Sequence, residues 1–480
     1  MIANLKPYPA MKNSGVEWLE QVPAHWDVPT LGRVLIQRKE KNDPIKTKEI
    51  LSLSLHKGVI PYAEKPTGGN KSKEDLSSYM LAYPGDIVVN SMNVVVGSVG
   101  LSKYFGAVSP VYYMLRPIYA EDVVEYFDQV FQAKVFQKSL FGLGNGIMYI
   151  ESKSGNLNTI RLRIPMTRLK KVILPHPPPE EQTAIVIYLD YVNRRVRKLV
   201  KSKRKLIALL TEQKKIIVHH VVTRGLDPDV HLKDSGIEWF GKVPEHWDIK
   251  RAKLLLKQVV PEIPPEAEMV TCFRDGQVTL RRNRRMRGFM NAIKELGYQG
   301  IKPGQLVLHS MDAFAGAIGV SDSAGKCSPE YVICEPANVG VHLEYYGTLL
   351  RSLAIRGLFV WLCNSVRERA PRVRFSHFGK FSLPLPPLDE QKAIMAEIRL
   401  KCRRLEIAIE RARRELDLLN EYRSRLFADV VTGKLDVREV VAALPEIDPS
   451  TIEDVLDDSL DTDIDENLEE LDGIPEEDDE

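Results

Sequence analysis

KNSGVEWLEQVPAHWDV, from Lys12 to Val28, returns as KDSGIEWFGKVPEHWDI from Lys233 to Ile249, with ten of seventeen positions identical. A repeat this close decides the architecture before any element is assigned, because one fold must then form twice. Working outward, Pro84-Gly85-Asp86 through Ser91-Met92-Asn93, Gly97, Gly100, Ser109-Pro110 and Tyr112 recurs 219 residues later. Its counterpart is Pro303-Gly304-Gln305 through Ser310-Met311-Asp312, Gly316, Gly319, Ser328-Pro329 and Tyr331. LPHPPPEEQTAI from Leu174 recurs as LPLPPLDEQKAI from Leu383, and Val221-Val222-Thr223 as Val430-Val431-Thr432, both offset by 209. The order is globular unit, helix, globular unit, helix, acidic tail.

Within the globular units, short apolar runs such as Ile87-Val88-Val89 and Leu306-Val307-Leu308 alternate with Gly and Pro turns, the pattern of half-buried strands. The shared glycines and prolines are read as turn and bulge positions that the fold needs twice. After each proline-rich stretch the period changes. Leu189, Val192, Val196, Leu199, Leu206, Leu210 and Ile217 form a heptad seam, with Lys203 and Gln213 in its two vacant places. The second copy offers Ile394, Ile398, Leu405, Ile409, Ala412, Leu416, Leu419, Tyr422 and Leu426. Prolines upstream, and Glu180, Glu181, Asp389 and Glu390 on the first turns, mark both helix starts. Two such seams bury each other best by antiparallel pairing within the chain, with parallel pairing across chains as the alternative. A helix of ~40 residues would then make a spacer of ~60 Å between the globular units.

The chain has 480 residues, 44% hydrophobic and 28% charged, ordinary values for globular domains. No apolar run approaches a membrane span, and Met1 to Met11 lacks the apolar core of a signal peptide, so a cytoplasmic location and no membrane partner are expected. The five cysteines, at 272, 327, 334, 363 and 402, include no C-x-x-C pair and read as buried small hydrophobes. Residues 446–480 hold eighteen Asp or Glu and no Lys or Arg, a composition that predicts disorder. The rest therefore carries 67 basic against 47 acidic side chains, a net +20 that suits a polyanion.

Motifs for chemistry are missing. There is no phosphate loop, dinucleotide fingerprint, H-E-x-x-H or G-x-S-x-G. Glu212-Gln213-Lys214 and Glu390-Gln391-Lys392 lack a suitably spaced upstream Pro-Asp, and read as solvated helix positions rather than half of a nuclease site. His25 and His246, flanked by Pro and Trp in the repeated block, read as packing residues rather than general bases. Basic and polar stretches fill the space instead. Arg281, Arg282, Arg284, Arg285 and Arg287 form one cluster and Arg367, Arg369, Arg372 and Arg374 a second, and guanidinium forks suit phosphates and guanine edges. The first unit offers Lys65, Lys71 and Lys73, Asn93 in the shared block, then Lys153, Arg161 and Arg163. The frame blocks match closely between copies, whereas residues 39–80 against 259–300 and 140–165 against 360–375 hardly match. One scaffold thus carries two different reading surfaces, as a reader of a split, asymmetric sequence would.

The SGxEWxxxVPxHWD opening, the strand block with its downstream SPxY, and LPxPPxxEQxAI leading into a long helix, each present twice, resemble the DNA-specificity subunit of type I restriction-modification systems. The likeness covers roughly residues 12–435. It implies an α/β (α+β) chain with target-recognition domains over 1–175 and 223–384, helices over 176–222 and 385–435 that form an intramolecular antiparallel coiled coil, and a tail over 436–480. It also implies double-stranded DNA as ligand, with two methyltransferase subunits and the restriction subunits as partners. No active site, metal or cofactor is expected in this chain; S-adenosylmethionine, ATP and Mg belong to the partners. Pro177, Glu181, Gln182, Pro386, Glu390 and Gln391, at the two proline-rich turns, are the expected partner-facing residues. The other reading is a coiled-coil scaffold whose heads bind protein rather than DNA.

Overall fold

A computed structural model describes residues 5–54, 58–64, 75–147, 150–151, 157–158, 161–284, 296–362 and 372–444. The chain divides into two compact units, the first taking the described residues up to Ser202 and from Glu415 to 444, the second Lys203–Arg414. Each unit therefore owns half of each long helix.

The first unit is built on a four-stranded antiparallel sheet in the order Leu35–Arg38, Tyr112–Pro117, Ile87–Asn90, Val99–Leu101. Met114 pairs with Val88 and Val88 with Gly100. The second unit repeats the order with Leu256–Val259, Tyr331–Pro336, Leu306–His309 and Ile318–Val320. Ile87-Val88-Val89 and Leu306-Val307-Leu308 are unbroken apolar runs because both faces of the sheet are covered. One face meets a helix, Val124–Gln132 or Leu343–Ile355, whose inner side chains include Phe127 and Phe131, or Tyr346 and Leu350. Hairpins cover the other: Leu51 and Val59 pack with Val88 and Met114, and Val270 and Val278 with Val307 and Ile333. The repeated glycines permit that approach. A Cβ on Gly319 would lie 1.9 Å from the Gly276 carbonyl in the hairpin loop. Cys272, Cys327, Cys334 and Cys402 are buried free thiols, and Cys363 lies outside the described residues.

The long helices run Pro179–Arg224 and Leu388–Val431. In the first unit Ile185, Leu189, Val192 and Val196 share a buried cluster with Leu426, Val430 and Val431, while the Tyr126 hydroxyl donates to the carbonyls of Pro175 and Val431. In the second, Val221 and Val222 bury against Ile394 and Ile398, and Lys214 pairs with Glu406 at 2.5 Å. Partner numbers fall as helix numbers rise, so within each unit the helices are antiparallel, as expected.

The seam itself differs from the heptad reading. Leu199 and Leu206 are 49% and 41% exposed, and Gln213 is exposed as well. Buried and half-buried positions run Leu189, Val192, Val196, Val200, Lys203, Ile207, Leu210, Lys214, Ile217 and Val221. Two consecutive steps of four, at 192–196–200, make a stutter: a straight helix drifts against a strict seven-residue repeat, and the extra residue moves the buried line round by one position.

The start of the expected tail is also corrected. Residues 436–444 belong to the first unit, with Val437 fully buried and a short helix over Arg438–Ala442. Asp436 N–H donates to the Lys6 carbonyl, and Lys434 reaches Glu20 at 2.8 Å. The tail residues 446–480 lie outside the described residues. No helix among the described residues is long and apolar enough to cross a membrane.

Candidate nucleic-acid interface

In both units the polar end of the central strand leads into the Ser-Met block, and that block holds a second, distant segment by its backbone. Ile164 N–H donates to the Ser91 carbonyl at 2.9 Å, and Leu162 N–H to the Met92 carbonyl at 3.1 Å. In the second unit Val373 N–H donates to the Ser310 carbonyl at 3.0 Å, and Ser310 Oγ returns a bond to the Val373 carbonyl at 3.2 Å. Arg163 and Arg372, one residue before those anchors, therefore occupy equivalent places, and both are exposed. Asn93 is half-buried in the same block as the Arg163 anchor. Arg374 is exposed just before the turn of helix at Phe375–Phe378.

The second unit adds a ring of arginines around its block. The hairpin of Val270–Cys272 with Val278–Leu280 folds its loop onto Asp312, where Arg274 Nη2 donates to Oδ1 at 3.1 Å. The half-buried Arg351 holds the loop, donating to the carbonyls of Gly316 and Arg274 at 3.2 Å each. Arg284 pairs with Asp275 at 2.6 Å and lies 4.3 Å over the Phe273 ring, while Arg282 pairs with Glu268 and Arg281 donates to Thr271 at 3.3 Å. Carboxylates and one aromatic face thus fix the guanidinium planes before any ligand arrives, which lowers the ordering cost of binding a polyanion. The structure brings together Arg284, Arg274 and Arg372 through Asp275, Asp312 and Ser310. Arg274, His309 and Asp312 were missed on the sequence as a group. The signal was there: within a block otherwise repeated, Asn90 and Asn93 stand where His309 and Asp312 stand.

Lys65, Lys71, Lys73, Lys153, Arg285, Arg287, Arg367 and Arg369 lie outside the described residues. Arg161 is described only as the first residue of the strand Arg161–Arg163.

The proline-rich turns do something other than expected. Pro177, Glu181, Gln182, Pro386 and Gln391 are buried, and Glu390 is half-buried. Gln182 accepts from Val123 N–H at 2.8 Å and donates to the Pro177 carbonyl; Gln391 accepts from His342 N–H at 2.9 Å and donates to the carbonyls of Gly340 and Pro386. Glu181 accepts from Trp26 Nε1 and Tyr8 Oη, both at 2.9 Å, and meets His25 at 2.6 Å. Burial, with Glu181 next, raises the Tyr8 phenol far above its ordinary range. Glu390 repeats the core of this with Trp247 at 3.1 Å and His246 at 2.8 Å. Five of these six side chains are therefore closed off by their own domain and Glu390 partly so, because a carboxylate or amide on a first helical turn that satisfies its own domain's donors is drawn inside. The exposed members of the same turns are Pro178 and Glu180, and Pro387 and Asp389. His25 and His246 are exposed, each paired with the glutamate at the start of a long helix.

No protein-family model matches the chain. Its sequence is similar to a protein assigned as the MjaX type I restriction enzyme specificity subunit of Methanocaldococcus jannaschii, with 23% identity over 462 residues covering 87% of this chain and 95% of that one. Its fold is similar to that of a solved chain from work on complex assembly and conformational transition of the type I R-M system, at 15% identity, a TM-score of 0.61, and 86% and 99% coverage. The crystal structure of the HsdS subunit from Thermoanaerobacter tengcongensis aligns over 86% of this chain at 14% identity, with a TM-score of 0.44. The resemblance drawn from the repeated motifs holds over most of the chain.

Proposed function

We propose that this chain is the DNA-specificity subunit of a type I restriction-modification complex, without catalytic chemistry of its own. The observation that carries the reading is the pair Arg163 and Arg372. One frame, built twice, delivers an exposed arginine to the same place, while the surrounding surfaces share almost nothing. A shared cation suits the phosphate backbone common to every sequence, and divergent neighbours suit different base edges. The target is then bipartite and asymmetric, with each unit reading one half-site. Two methyltransferase subunits dock on the quasi-equivalent outer faces of the helix starts, around Pro178 and Glu180 and around Pro387 and Asp389. Adenine methylation with S-adenosylmethionine, and ATP- and Mg-dependent cleavage by restriction subunits, belong to those partners.

Mapping methylated adenines across the host genome, with and without this gene, tests the reading directly. A split motif that vanishes with the gene is expected; an unchanged methylation map favours the scaffold reading. Alanine at Arg274 and Arg284 should relax one half-site and leave the other intact, at ~1–3 kcal/mol for each base no longer read, whereas alanine at Arg372 should weaken binding to all sequences and lower the salt slope by about one.

A further inference from the structure

We propose that the outer face of the first long helix, carrying Arg194, Arg197, Lys198 and Lys201, binds the sugar-phosphate backbone of the duplex between the two half-sites. The proposal rests on the recognition reading above and adds a third, sequence-independent contact to it.

From Arg194 to Lys205, eight of twelve residues are basic and none is acidic. Their placement follows from helix geometry. The buried side at this level is Val192, Val196 and Val200. At ~100° per residue, Arg194, Lys198 and Lys201 cluster within ~60° of one another on the opposite side, with Arg197 on their flank. Arg197, Lys198 and Lys201 are exposed. Arg194 has a carboxylate only at 4.0 Å, the half-exposed Asp190, and Lys198 and Lys201 have none among the described residues. Arg423 of the second long helix lies within electrostatic range of Arg197, so like charge faces like charge where the helices meet.

The fold does not require this arrangement. Like charges three and four residues apart disfavour a helix. The second copy shows the alternative: the equivalents of Arg194, Arg197, Lys198 and Lys201, at the offset of 209, are Arg403, Glu406, Ile407 and Glu410. The same helix forms there with three of the four cations replaced. A one-sided basic ladder that costs its helix stability and keeps only one of its four cations in its own repeat is explained by an anion. Seven residues of rise, ~10.5 Å, match about three base-pair steps of duplex, so the ladder suits a regular polyanion better than a single carboxylate.

The test uses the full chain with its methyltransferase subunits and the triple substitution R194Q/K198Q/K201Q, on positions opposite the buried side where glutamine keeps the helix. The logarithmic salt dependence of binding should flatten by about 2–3, at ~0.9 per phosphate contact, equally on target and random duplex, with the half-site preference unchanged. R194K/K198R/K201R, which keeps the charge, should restore the wild-type slope. Neutral methylphosphonate linkages placed across the gap should weaken the wild type and leave the glutamine variant unaffected. An unchanged slope overturns the proposal, as does equal methylphosphonate sensitivity in both proteins. A slope restored by deleting residues 446–480 also overturns it, since the ladder then serves the chain's own tail. Wild-type protein that prefers no sequence would instead remove the recognition reading, and the salt slope on random duplex would still judge the ladder.

Discussion

The indole N–H of Trp26 donates to Glu181 across 155 residues of sequence, at 2.9 Å. It joins the opening motif of the repeat to the first turn of the long helix, so two separately repeated signatures of one chain are the halves of one contact. Glu181 also serves Tyr8, His25 and Arg438, whereas Glu390 serves Trp247 and His246 and is less buried. Glu181→Ala should therefore destabilise the first unit by about 3–5 kcal/mol, by leaving buried donors unmatched, and Glu390→Ala the second by about 1–2 kcal/mol. Urea unfolding followed by tryptophan fluorescence would rank them; equal losses would mean that the extra donors contribute nothing.

The helix ends close on the same tryptophans through glycine. Gly433 has φ +74°, and a Cβ there would lie 2.4 Å from Pro23 Cδ and 2.8 Å from the Trp26 ring. Gly236 has φ +66° with nothing within 4 Å. Gly433→Ala should cost about 2–4 kcal/mol, strain plus clash, and Gly236→Ala about 1 kcal/mol, strain alone. Calorimetric unfolding of the two variants separates these contributions.

Asp128 gives a pH dependence. Its residue is half-buried, yet Oδ1 is sealed from solvent with no hydrogen-bond partner among the described residues. Burial first, and Glu125 second, push its carboxyl up to about 6. The folded state then holds the proton more tightly than the unfolded state does. Its contribution is fully present below ~3.9 and is lost as pH rises through about 6, an effect of about 2–3 kcal/mol. Asp128→Asn should remove that fall, so the stability difference between variant and wild type should widen from pH 4 to pH 7. A constant difference would show that the carboxyl titrates normally.

If the paired helices set the gap between half-sites, seven residues inserted into each at the same level should lengthen it by ~10.5 Å, about three base pairs, and leave both half-site sequences unaltered. Methylation mapping of the altered complex reads this, and an unchanged gap would remove the helices as the ruler.

Deleting residues 446–480 removes eighteen acidic side chains from a body of net +20. A tethered polyanion competes most with binding that is wholly electrostatic. Affinity for random DNA at low salt should rise, the target-to-random ratio should fall, and both effects should fade as salt screens the charges. Equal ratios with and without the tail would leave it a solubility segment.

The repeat made the fold legible. Paired strands, helix starts and antiparallel helices follow from apolar period and proline position, which act locally and twice. The stutter at Val196 was hidden because Leu199 and Leu206 are as apolar as the Val200 and Ile207 that displace them; only the partner helix decides which residue it covers. Glu181 and Gln182 misled for a related reason. A charged first helical turn after prolines looks solvated until a tryptophan from 155 residues away is placed against it. Arg163 and Arg372 were legible as basic, but their equivalence depends on backbone bonds from Ser91 and Ser310 that no side-chain pattern announces.

In the second unit the backbone runs unbroken from Gly225, at the end of its helix, to the repeat opening at Lys233. The first unit closes the same joint with two separate segments of chain, 433–438 and 5–20, stitched by Asp436 to Lys6 and by Lys434 to Glu20. The two units thus close matching joints, one by a continuous backbone and one by contacts between separate segments. A peptide bond cut between Leu226 and Val230 would leave both joints held without a covalent link, and each half would keep a complete sheet while each hydrophobic core still drew on both halves.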